Sequence, residues 1–376
     1  MMLQAHITGW GMAVPERVLT NDDLAGMVDT NDEWIRTRTG IRERRIAAPE
    51  ESTATLAVDA ALDALEIANL HPTDVDLIVV ASSSPEHFFP ATASLVQDRI
   101  GATRAGAFDL SAACTGFIIA LNMAAQAIKT GSIRSALVIG AETLSRITNW
   151  EDRNTCVLFG DGAGAFVLQA SDDPGGIFSA VMRSDGSGGD LLSMPAGGSK
   201  MPASEQTVAD NLHTIKMDGR RVFRFATRVM SQATREVAQL SGLTLGDIDW
   251  VIPHQANQRI IESAARSLKL PLDRFVINLD RYGNTSTASI PLATVEAIED
   301  GRLNPGDQVV FVGFGAGLSW GALAAEWSGP LAERKIQKAA WPYRFEGFYS
   351  LYVRVRSTFL RLIRRIEALI WGRRRE

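Results

Sequence analysis

Two stretches of the chain resemble each other and decide its fold: Leu70–Val80 (LHPTDVDLIVV) and Leu243–Pro253 (LTLGDIDWVIP). Position 243 aligns with position 70, an offset of 173 in the numbering. The stretches share one leucine and two aspartates, with valine opposite isoleucine at a fourth place. The same offset relates two later apolar runs, Ala136–Ile139 and Val309–Val312. An offset that holds across so much of the chain predicts an internal repeat of one structural unit.

The segments around these runs predict an α/β fold. Short apolar runs alternate with longer helix-like segments such as Thr115–Thr130 and 291–300. Strands that are apolar on both faces and separated by helices are typical of a largely parallel, covered sheet. We expect two α/β halves, 1–172 and 173–329, that pack about a pseudo-dyad with a cleft between equivalent loops, and a separate extension at 330–376.

Composition excludes several classes of protein. With 46% hydrophobic and 22% charged residues the chain is globular, and its two cysteines cannot build a disulfide framework, which fits a reducing compartment. No signal peptide is visible, and neither is an apolar run of the length that spans a bilayer, so we expect a cytoplasmic protein. Residues 1–329 hold 26 basic and 39 acidic groups, and so acidic a body argues against nucleic acid as the main partner.

The C-terminal segment 330–376 differs from the rest of the chain in charge. It holds 12 Lys and Arg against 4 Asp and Glu, whereas the rest of the chain holds 26 basic and 39 acidic groups. A net charge of +8 beside one of −13 is typical of a tail that acts separately.

This tail contains a helical pattern. Apolar residues recur at spacings of three and four, and arginines fall mostly off their row; the row is Tyr352, Val355, Phe359, Leu362, Ile366 and Leu369, and the arginines are Arg354, Arg361, Arg364 and Arg365. The pattern predicts an amphipathic helix of about 20 residues, roughly 30 Å long. Residues 350–371 could lie on an anionic membrane with Trp371 among the headgroups, dock on an acidic patch of the body or of a partner, or remain poorly ordered.

Three polar residues at the ends of predicted strands are candidates for chemistry. Cys114 lies between a strand-like segment and a long helix, where the helix dipole would lower the pKa of a thiol; it could equally be a small buried cysteine. His254 follows a predicted strand, where ligand sites of α/β sheets collect, or its ring could be satisfied by backbone groups. Asn284 is a turn residue when taken alone, but the repeat places it opposite Cys114.

Two glycine-rich stretches, 160–165 and 313–317, fit neither the dinucleotide nor the nucleotide pattern. They predict close backbone approach or exposed N–H donors instead. Because Cys and His nowhere show metal-ligand spacing, we expect no metal. The Gly-, Ser- and Pro-rich stretch 184–212 predicts a long loop.

The chain resembles the 3-oxoacyl-[acyl-carrier-protein] synthase III family of thiolase-like condensing enzymes from about Ile7 to Trp327. Ordered motifs carry the resemblance; they are Asp32–Ile35, Thr37–Arg44, Ala113–Phe117, Phe159–Ala165, Pro253–Asn257 and Gly283–Ser286. The resemblance implies a duplicated fold of α/β/α/β/α layers, in agreement with the repeat. It also implies the condensation of an acyl-CoA primer with malonyl-carrier protein, with loss of carbon dioxide, to start fatty-acid synthesis.

The resemblance assigns roles to the three candidates. Cys114 is the expected nucleophile that takes the acyl group, since a thiolate both attacks and leaves well in thioester exchange. His254 and Asn284 are expected to donate hydrogen bonds to the malonyl thioester oxygen, on which decarboxylation develops negative charge. The backbone N–H groups of Cys114 and Ala316 match the oxyanion hole of acyl transfer. No cofactor is expected, because acyl-CoA and malonyl-carrier protein are substrates.

The same resemblance implies binding residues. The positions expected to contact coenzyme A or the acyl substrate are Trp34, Arg38, Phe89, Arg153, Phe223 and Asn257, with the adenine between Trp34 and Arg153. Phe89 is expected to reach the acyl tunnel of a partner subunit, which implies a homodimer. The basic positions expected to meet an acidic carrier protein are Arg224, Arg259 and Arg266.

Two alternatives remain open. The chain could be a specialised acyltransferase or ketosynthase of a secondary pathway that uses Cys114 with another acceptor, or a catalytically silent subunit recruited by its basic tail. The presence of all three of Cys114, His254 and Asn284 favours decarboxylative condensation over both.

Overall fold

A computed structural model describes residues 3–330, 352–353, 355–360, 362–363 and 366. The strands of this part of the chain number from β1 to β13 in sequence order; they are Gln4–Ala13, Val18–Thr20, Glu43–Arg45, Leu77–Ala81, Gly106–Leu110, Ser135–Thr143, Asp161–Ser171, Ile177–Ser184, Leu192–Ser193, Lys216–Met217, Trp250–Pro253, Gln308–Gly315 and Ser319–Glu326.

The helices of the same part number from α1 to α10; they are Asn21–Ala25, Asp32–Thr39, Thr53–Ile67, Thr92–Ile100, Gly116–Lys129, Glu205–Ala209, Gly219–Leu240, Gln258–Leu268, Leu279–Tyr282 and Ser289–Glu299. Helices α5 and α10 match the segments predicted from the sequence to within about two residues. The stretch 184–212 is less irregular than predicted, since it contains β9 and α6.

Two sheets repeat one strand order. The first is β1-β7-β6-β4-β5 and the second is β8-β13-β12-β11. In both, a parallel pair is followed by antiparallel pairing: β4 pairs with β6 and β11 with β12 in parallel, and β6 with β7 and β12 with β13 antiparallel. The first positions of β1, β4 and β6 precede those of β8, β11 and β12 by the same offset of 173. The offset read from the sequence is therefore the offset of the fold.

The sheets and helices stack in five layers. Helices α5 and α10 lie between the two sheets, where Phe117, Ile118, Ile290 and Ala293 share one core with strand residues of both. Helices α3 and α4 cover the outer face of the first sheet, and α7 and α8 cover that of the second. The predicted duplicated α/β/α/β/α fold is therefore confirmed, and each central helix begins at the junction of the halves.

Glycine allows the layers to approach at this junction. A Cβ at Gly140 of β6 would lie 2.2 Å from the carbonyl oxygen of Thr287, and one at Gly164 of β7 would lie 2.6 Å from Pro291 Cβ. Both contacts are closer than a side chain permits, so the glycine-rich stretch at 160–165 serves close packing, as predicted.

The described residues of the tail are helical at 352–353, 355–360, 362–363 and 366; we call them the C-terminal helix. Val353 and Ser357 are buried, and Ser357 Oγ donates a 2.7 Å hydrogen bond to Asp98 Oδ2 on α4. No helix in the described residues has both the length and the apolar character that crossing a bilayer requires. Leu369, Trp371 and the arginines at 354, 361, 364 and 365 fall outside these residues.

Candidate active site

Cys114 lies where the first sheet meets α5. The chain leaves β5, forms a single 3-10 turn at Ala113–Thr115, and enters α5 at Gly116. Ala113 has a φ of +48°, in the left-handed region that costs a residue with a Cβ on the order of 1 kcal/mol. A strained residue next to a candidate nucleophile is typical of a functional site.

The environment of the thiol differs from the sequence prediction. Burial raises the pKa of Cys114 to about 12, the nearby Ser286 hydroxyl lowers it in part, and the Glu142 carboxyl raises it. This direction is opposite to the one predicted from the helix dipole, because loss of water is the largest contribution to the pKa of this thiol. Cys114 is a neutral thiol near pH 7.

His254 directly follows β11, at the carboxyl end of a parallel strand, as predicted. Its ring is buried and packs edge-on against Phe314, with 5.4 Å between centroids. Burial lowers the pKa of His254 to about 3, so the ring is neutral at physiological pH.

A hydroxyl controls the tautomer of this ring. Ser289 Oγ lies 2.7 Å from His254 Nδ1 and 2.8 Å from the carbonyl oxygen of Ser286. When the hydroxyl donates to Nδ1, the ring proton resides on Nε2, whereas donation to the carbonyl allows the proton on Nδ1. Ser289 opens α10 and was not singled out from the sequence.

Asn284 is buried with its amide oriented by the backbone. Its Oδ1 accepts a 2.9 Å bond from the N–H of Ser286, and its own N–H donates to the Leu158 carbonyl oxygen at 2.8 Å. In the described part of the chain its Nδ2 has no hydrogen-bond partner, so this donor is available to a ligand.

The three candidates meet at one place. A Cβ on Gly313 of β12 would touch His254 Cβ at 3.4 Å and the Cys114 carbonyl oxygen at 3.8 Å. Ser286, whose hydroxyl affects the thiol of Cys114, is also held by Asn284 Oδ1. The fold thus brings the predicted thiol, imidazole and carboxamide together from three separate segments.

The counterpart of Cys114 in the second half is Thr287 rather than Asn284. The 3-10 turn Ser286–Ala288 precedes α10 just as Ala113–Thr115 precedes α5, and Ser286 has a φ of +47° against +48° for Ala113. These turns keep the offset of 173, so the sequence pairing of Asn284 with Cys114, at an offset of 170, is wrong by three positions.

A buried carboxyl joins the two halves beside this site. Glu142 of β6 is fully buried and accepts from the N–H groups of Ser83 and Ser84 and, at 2.6 Å, from Ser84 Oγ. Thr287 Oγ1 lies 3.0 Å from Glu142 Oε1 and 2.9 Å from the carbonyl oxygen of Ala81. The Thr287 hydroxyl has one proton and cannot donate to both oxygens at once. Burial raises the pKa of Glu142, which favours a protonated carboxyl that donates to Thr287 Oγ1 while Thr287 donates to the Ala81 carbonyl oxygen. Glu142 was not predicted from the sequence, where its only signal is an acid at the end of an apolar run.

The residues expected at coenzyme A cluster around Trp34. The guanidinium carbons of Arg38 and Arg153 lie 4.7 and 4.5 Å from the centroid of the Trp34 ring. Arg153 also pairs with Asp29 at 3.1 Å. Asn257 caps α8 and donates to the Arg38 carbonyl oxygen at 2.9 Å, so its side chain already has protein partners.

The remaining predicted positions lie at the surface or at its edge. Arg259 lies 5.3 Å from the ring centroid of the half-buried Phe223, while Arg224 is exposed and Arg266 approaches Glu262 at 3.9 Å. Phe89 is 86% exposed. Ala316 follows β12 and its carbonyl oxygen accepts from Ser319 Oγ. Among the described residues no cluster of His, Cys, Asp and Glu could hold a metal ion.

Two family models match the chain. The model described as 3-Oxoacyl-[acyl-carrier-protein (ACP)] synthase III matches residues 108–186, and the one described as its C terminal matches residues 238–327. The first match includes Cys114 and Glu142, and the second includes His254 and Asn284. The extension lies beyond both.

Several proteins similar to this chain are named beta-ketoacyl-[acyl-carrier-protein] synthase III or 3-oxoacyl-[acyl-carrier-protein] synthase III. The chain is 59% identical over 321 residues to a protein of Symbiobacterium thermophilum named beta-ketoacyl-[acyl-carrier-protein] synthase III, a match that covers 85% of this chain and 97% of that one. A protein of the same name from Desulfitobacterium hafniense is 54% identical, with 87% and 99% covered. The crystal structure of 3-oxoacyl-[acyl-carrier-protein] synthase III from Aquifex aeolicus superposes with a TM-score of 0.80 at 46% identity, over 86% of this chain and 99% of that one.

Proposed function

The chain belongs to the 3-oxoacyl-[acyl-carrier-protein] synthase III family, and on that premise we propose that it condenses an acyl-CoA primer with malonyl-carrier protein to initiate fatty-acid synthesis. The observation that carries the residue assignment is the convergence of a buried thiol, a neutral imidazole and a carboxamide with an available N–H at the junction of the halves.

The first step is transfer of the acyl group to Cys114. The sulfur attacks the thioester carbonyl of acyl-CoA, the bond between that carbon and the CoA sulfur breaks, and the departing sulfur takes up the proton that the thiol gives up. Because burial raises the pKa of Cys114 to about 12, the thiolate forms only as substrate binds. The N-terminal end of α5 and the backbone N–H groups of Cys114 and Ala316 stabilise the negative charge that develops.

The second step is decarboxylation. The bond from the malonyl carbon to its carboxylate breaks, carbon dioxide leaves, and the electron pair makes an enolate of the carrier thioester. Asn284 Nδ2 and His254 Nε2 donate to the enolate oxygen, and neither gives up its proton. This role requires the tautomer in which Ser289 donates to His254 Nδ1. The enolate carbon then attacks the acyl carbon, and the sulfur of Cys114 leaves and is reprotonated.

Surface residues around the cleft would bind the parts of the substrates that do not react, namely the adenine of coenzyme A and the carrier protein. Adenine is a flat base that fits between the Trp34 ring and the Arg153 guanidinium, where it replaces their contact of 4.5 Å. Arg38 stacks on the same ring, and Phe223 with Arg259 borders the entrance to the cleft. The exposed Arg224, with Arg259 and Arg266, supplies positive charge for an acidic carrier protein.

The assembly is a homodimer in the cytoplasm. Strand β5 is the edge of the first sheet, and Phe108 on it is 44% exposed. Phe88 and Phe89, on the connection between β4 and α4, are 78% and 86% exposed, and a second copy would cover such aromatic surface. We assign residues 1–172 and 173–329 to the two halves of one catalytic body, which needs no cofactor and no part of 330–376.

One experiment tests the proposal. The full chain is incubated with acetyl-CoA and with longer and branched acyl-CoAs, and malonyl-carrier protein is then added while carbon dioxide and product are measured. We expect acylation by at least one primer, followed by carbon dioxide and 3-oxoacyl-carrier protein in equal amounts. Acylation without decarboxylation would indicate an acyltransferase with another acceptor, and no acylation by any primer would indicate a silent subunit.

A further inference from the structure

The C-terminal helix has one face toward the body and another toward solvent. Val353 and Ser357 are 4% and 6% exposed, and Ser357 is bonded to Asp98 of α4. A helix that lay loosely on the surface would be expected to turn its apolar row inward. Here the buried residues are a valine and a serine, with Arg356, Leu360 and Ile363 half-buried, so the exposed apolar row of this helix is not the face that docks on the body.

That apolar row is exposed. Its members recur at spacings of three and four and each is about half accessible: Tyr352 61%, Val355 58%, Phe359 59%, Leu362 53% and Ile366 47%. Because Val353 and Ser357 hold the opposite face against the body, the apolar row points toward solvent. A contiguous row of bulky apolar side chains on a surface marks an interaction site rather than chance exposure.

Charge identifies the kind of surface that this row fits. Between Gly347 and Ile366 the sequence holds five arginines and no acidic residue, and 330–376 carries a net charge of +8. A second copy would bring the same positive charge against itself, so self-association through this row is disfavoured. A bilayer with anionic headgroups offers acyl chains that can bury the apolar row and negative charge that attracts the arginine-rich segment.

We propose that the C-terminal helix binds the surface of an anionic lipid bilayer and so attaches the condensing enzyme to it. Val355, Phe359, Leu362 and Ile366 enter the boundary between headgroups and acyl chains, and the net positive charge of the segment is attracted to the anionic headgroups. The segment 352–366 spans about 22 Å along the surface at about 1.5 Å per residue, so the helix lies in the plane and does not cross. The interaction is independent of the catalytic proposal, because none of these residues belongs to the site around Cys114.

Flotation with lipid vesicles tests the proposal. The full chain is mixed with vesicles of phosphatidylcholine and phosphatidylglycerol in equal parts, and separately with phosphatidylcholine alone. We expect binding to the mixed vesicles at least tenfold stronger than to the neutral ones, and weaker binding at high salt. The double variant Phe359→Ser/Leu362→Ser should bind at least tenfold more weakly. The matched control Leu240→Ser, at a leucine 60% exposed at the end of α7, should bind as the unaltered chain does.

Solution activity separates this proposal from the catalytic one. The double variant should condense soluble substrates at the unaltered rate, which also shows that it folds. Equal flotation of chain and double variant, or no flotation on anionic vesicles, would overturn the proposal. So would a lower oligomeric state of the double variant without lipid, which would assign the row to a second copy, or weaker binding of the isolated carrier protein, which would assign it to that partner.

Discussion

The first turns of α5 and α10 have the same backbone and different uses. Each is a 3-10 turn that opens a central helix, and each begins with a residue of left-handed φ, Ala113 and Ser286. At the next position the first turn has Cys114, whose thiol faces the site, and the second has Thr287, whose hydroxyl lies against Ala81 and Glu142 of the other half. The same backbone turn therefore carries the candidate nucleophile Cys114 in one half and, in the other, a threonine whose hydroxyl links the two halves.

The comparison shows how a duplicated fold acquires a single active site. In the proposed function the second half supplies hydrogen-bond donors around Cys114 rather than a second nucleophile, with Asn284 three positions before Thr287 and Ser289 two positions after it. The same strained turn positions Cys114 in one half and Thr287 in the other, because it directs the side chain that follows toward the junction of the halves. Substitutions in the two turns should accordingly have unlike consequences.

The largest effect is expected at the first turn. Cys114→Ala should lose acylation by acyl-CoA and reduce condensation at least about a thousandfold, since no other group replaces the nucleophile. Intact-protein mass and product formation measure the two losses. Cys156→Ala is the matched control, because Cys156 is also buried and burial raises the pKa of its thiol to about 11. Acylation of the Cys114→Ala protein at the normal level would contradict the assignment.

The pH dependence of the thiol is the next largest effect. With the pKa of Cys114 raised to about 12, the thiolate fraction rises tenfold for each pH unit across the neutral range. Alkylation of the substrate-free protein by iodoacetamide should thus accelerate about a hundredfold from pH 7 to pH 9, with the Cys114→Ala rate subtracted. A plateau near pH 8 would indicate a thiol that the helix dipole, rather than burial, controls.

A moderate effect is expected at the second turn. Ser289→Ala removes the hydroxyl that lies 2.7 Å from His254 Nδ1. The proposed mechanism requires this hydroxyl to donate to Nδ1, so its removal should weaken the tautomer with a proton on Nε2. Condensation should fall about tenfold while acylation of Cys114 is nearly unchanged, and Ser289→Thr should restore most of the loss. Equal falls in both steps would mean that Ser289 acts only through folding.

The smallest effect on catalysis is expected at Thr287. Thr287→Val leaves Glu142 and the Ala81 carbonyl with one contact fewer, and should lower the free energy of unfolding by about 1–3 kcal/mol. Urea unfolding measures the change. Thr294→Val is the control, because among the described residues the Thr294 hydroxyl bonds only to the Ile290 carbonyl oxygen of its own helix, and its loss should cost less. A larger loss of unfolding free energy in Thr294→Val than in Thr287→Val would contradict the inference that the Thr287 hydroxyl stabilises the contact between the halves.

Sequence patterns predicted the parts of this structure that follow from periodicity. Apolar runs and their offset of 173 predicted two related sheets, and Cys114 and His254 were expected after strands, where they lie. The expectation of largely parallel pairing is wrong, because antiparallel pairs occur in both sheets. The pKa of Cys114 was predicted in the wrong direction, because desolvation depends on segments remote in sequence, such as Gly313 and Gly315, that close over the turn.

Other features were not predictable because they depend on register or on packing. Glycine and serine occur near both turns, so an offset of 170 was as acceptable as 173 until the φ angles of Ala113 and Ser286 fixed it. Glu142 continues an apolar strand and gives no periodic signal. The row at 352–366 was predicted as apolar, but which face of the C-terminal helix would dock could be learned only from the burial of Val353 and Ser357.

The most direct test of the account separates the two halves of the site in one protein. Asn284→Ala is incubated with acyl-CoA, the acyl group is located by peptide mass mapping, and carbon dioxide release from malonyl-carrier protein is then measured. We expect full acylation on the peptide that contains Cys114 and a fall of about a hundredfold to a thousandfold in carbon dioxide release, because only the enolate loses a donor. An acyl group on any other residue, or carbon dioxide release at the unaltered rate, would contradict it.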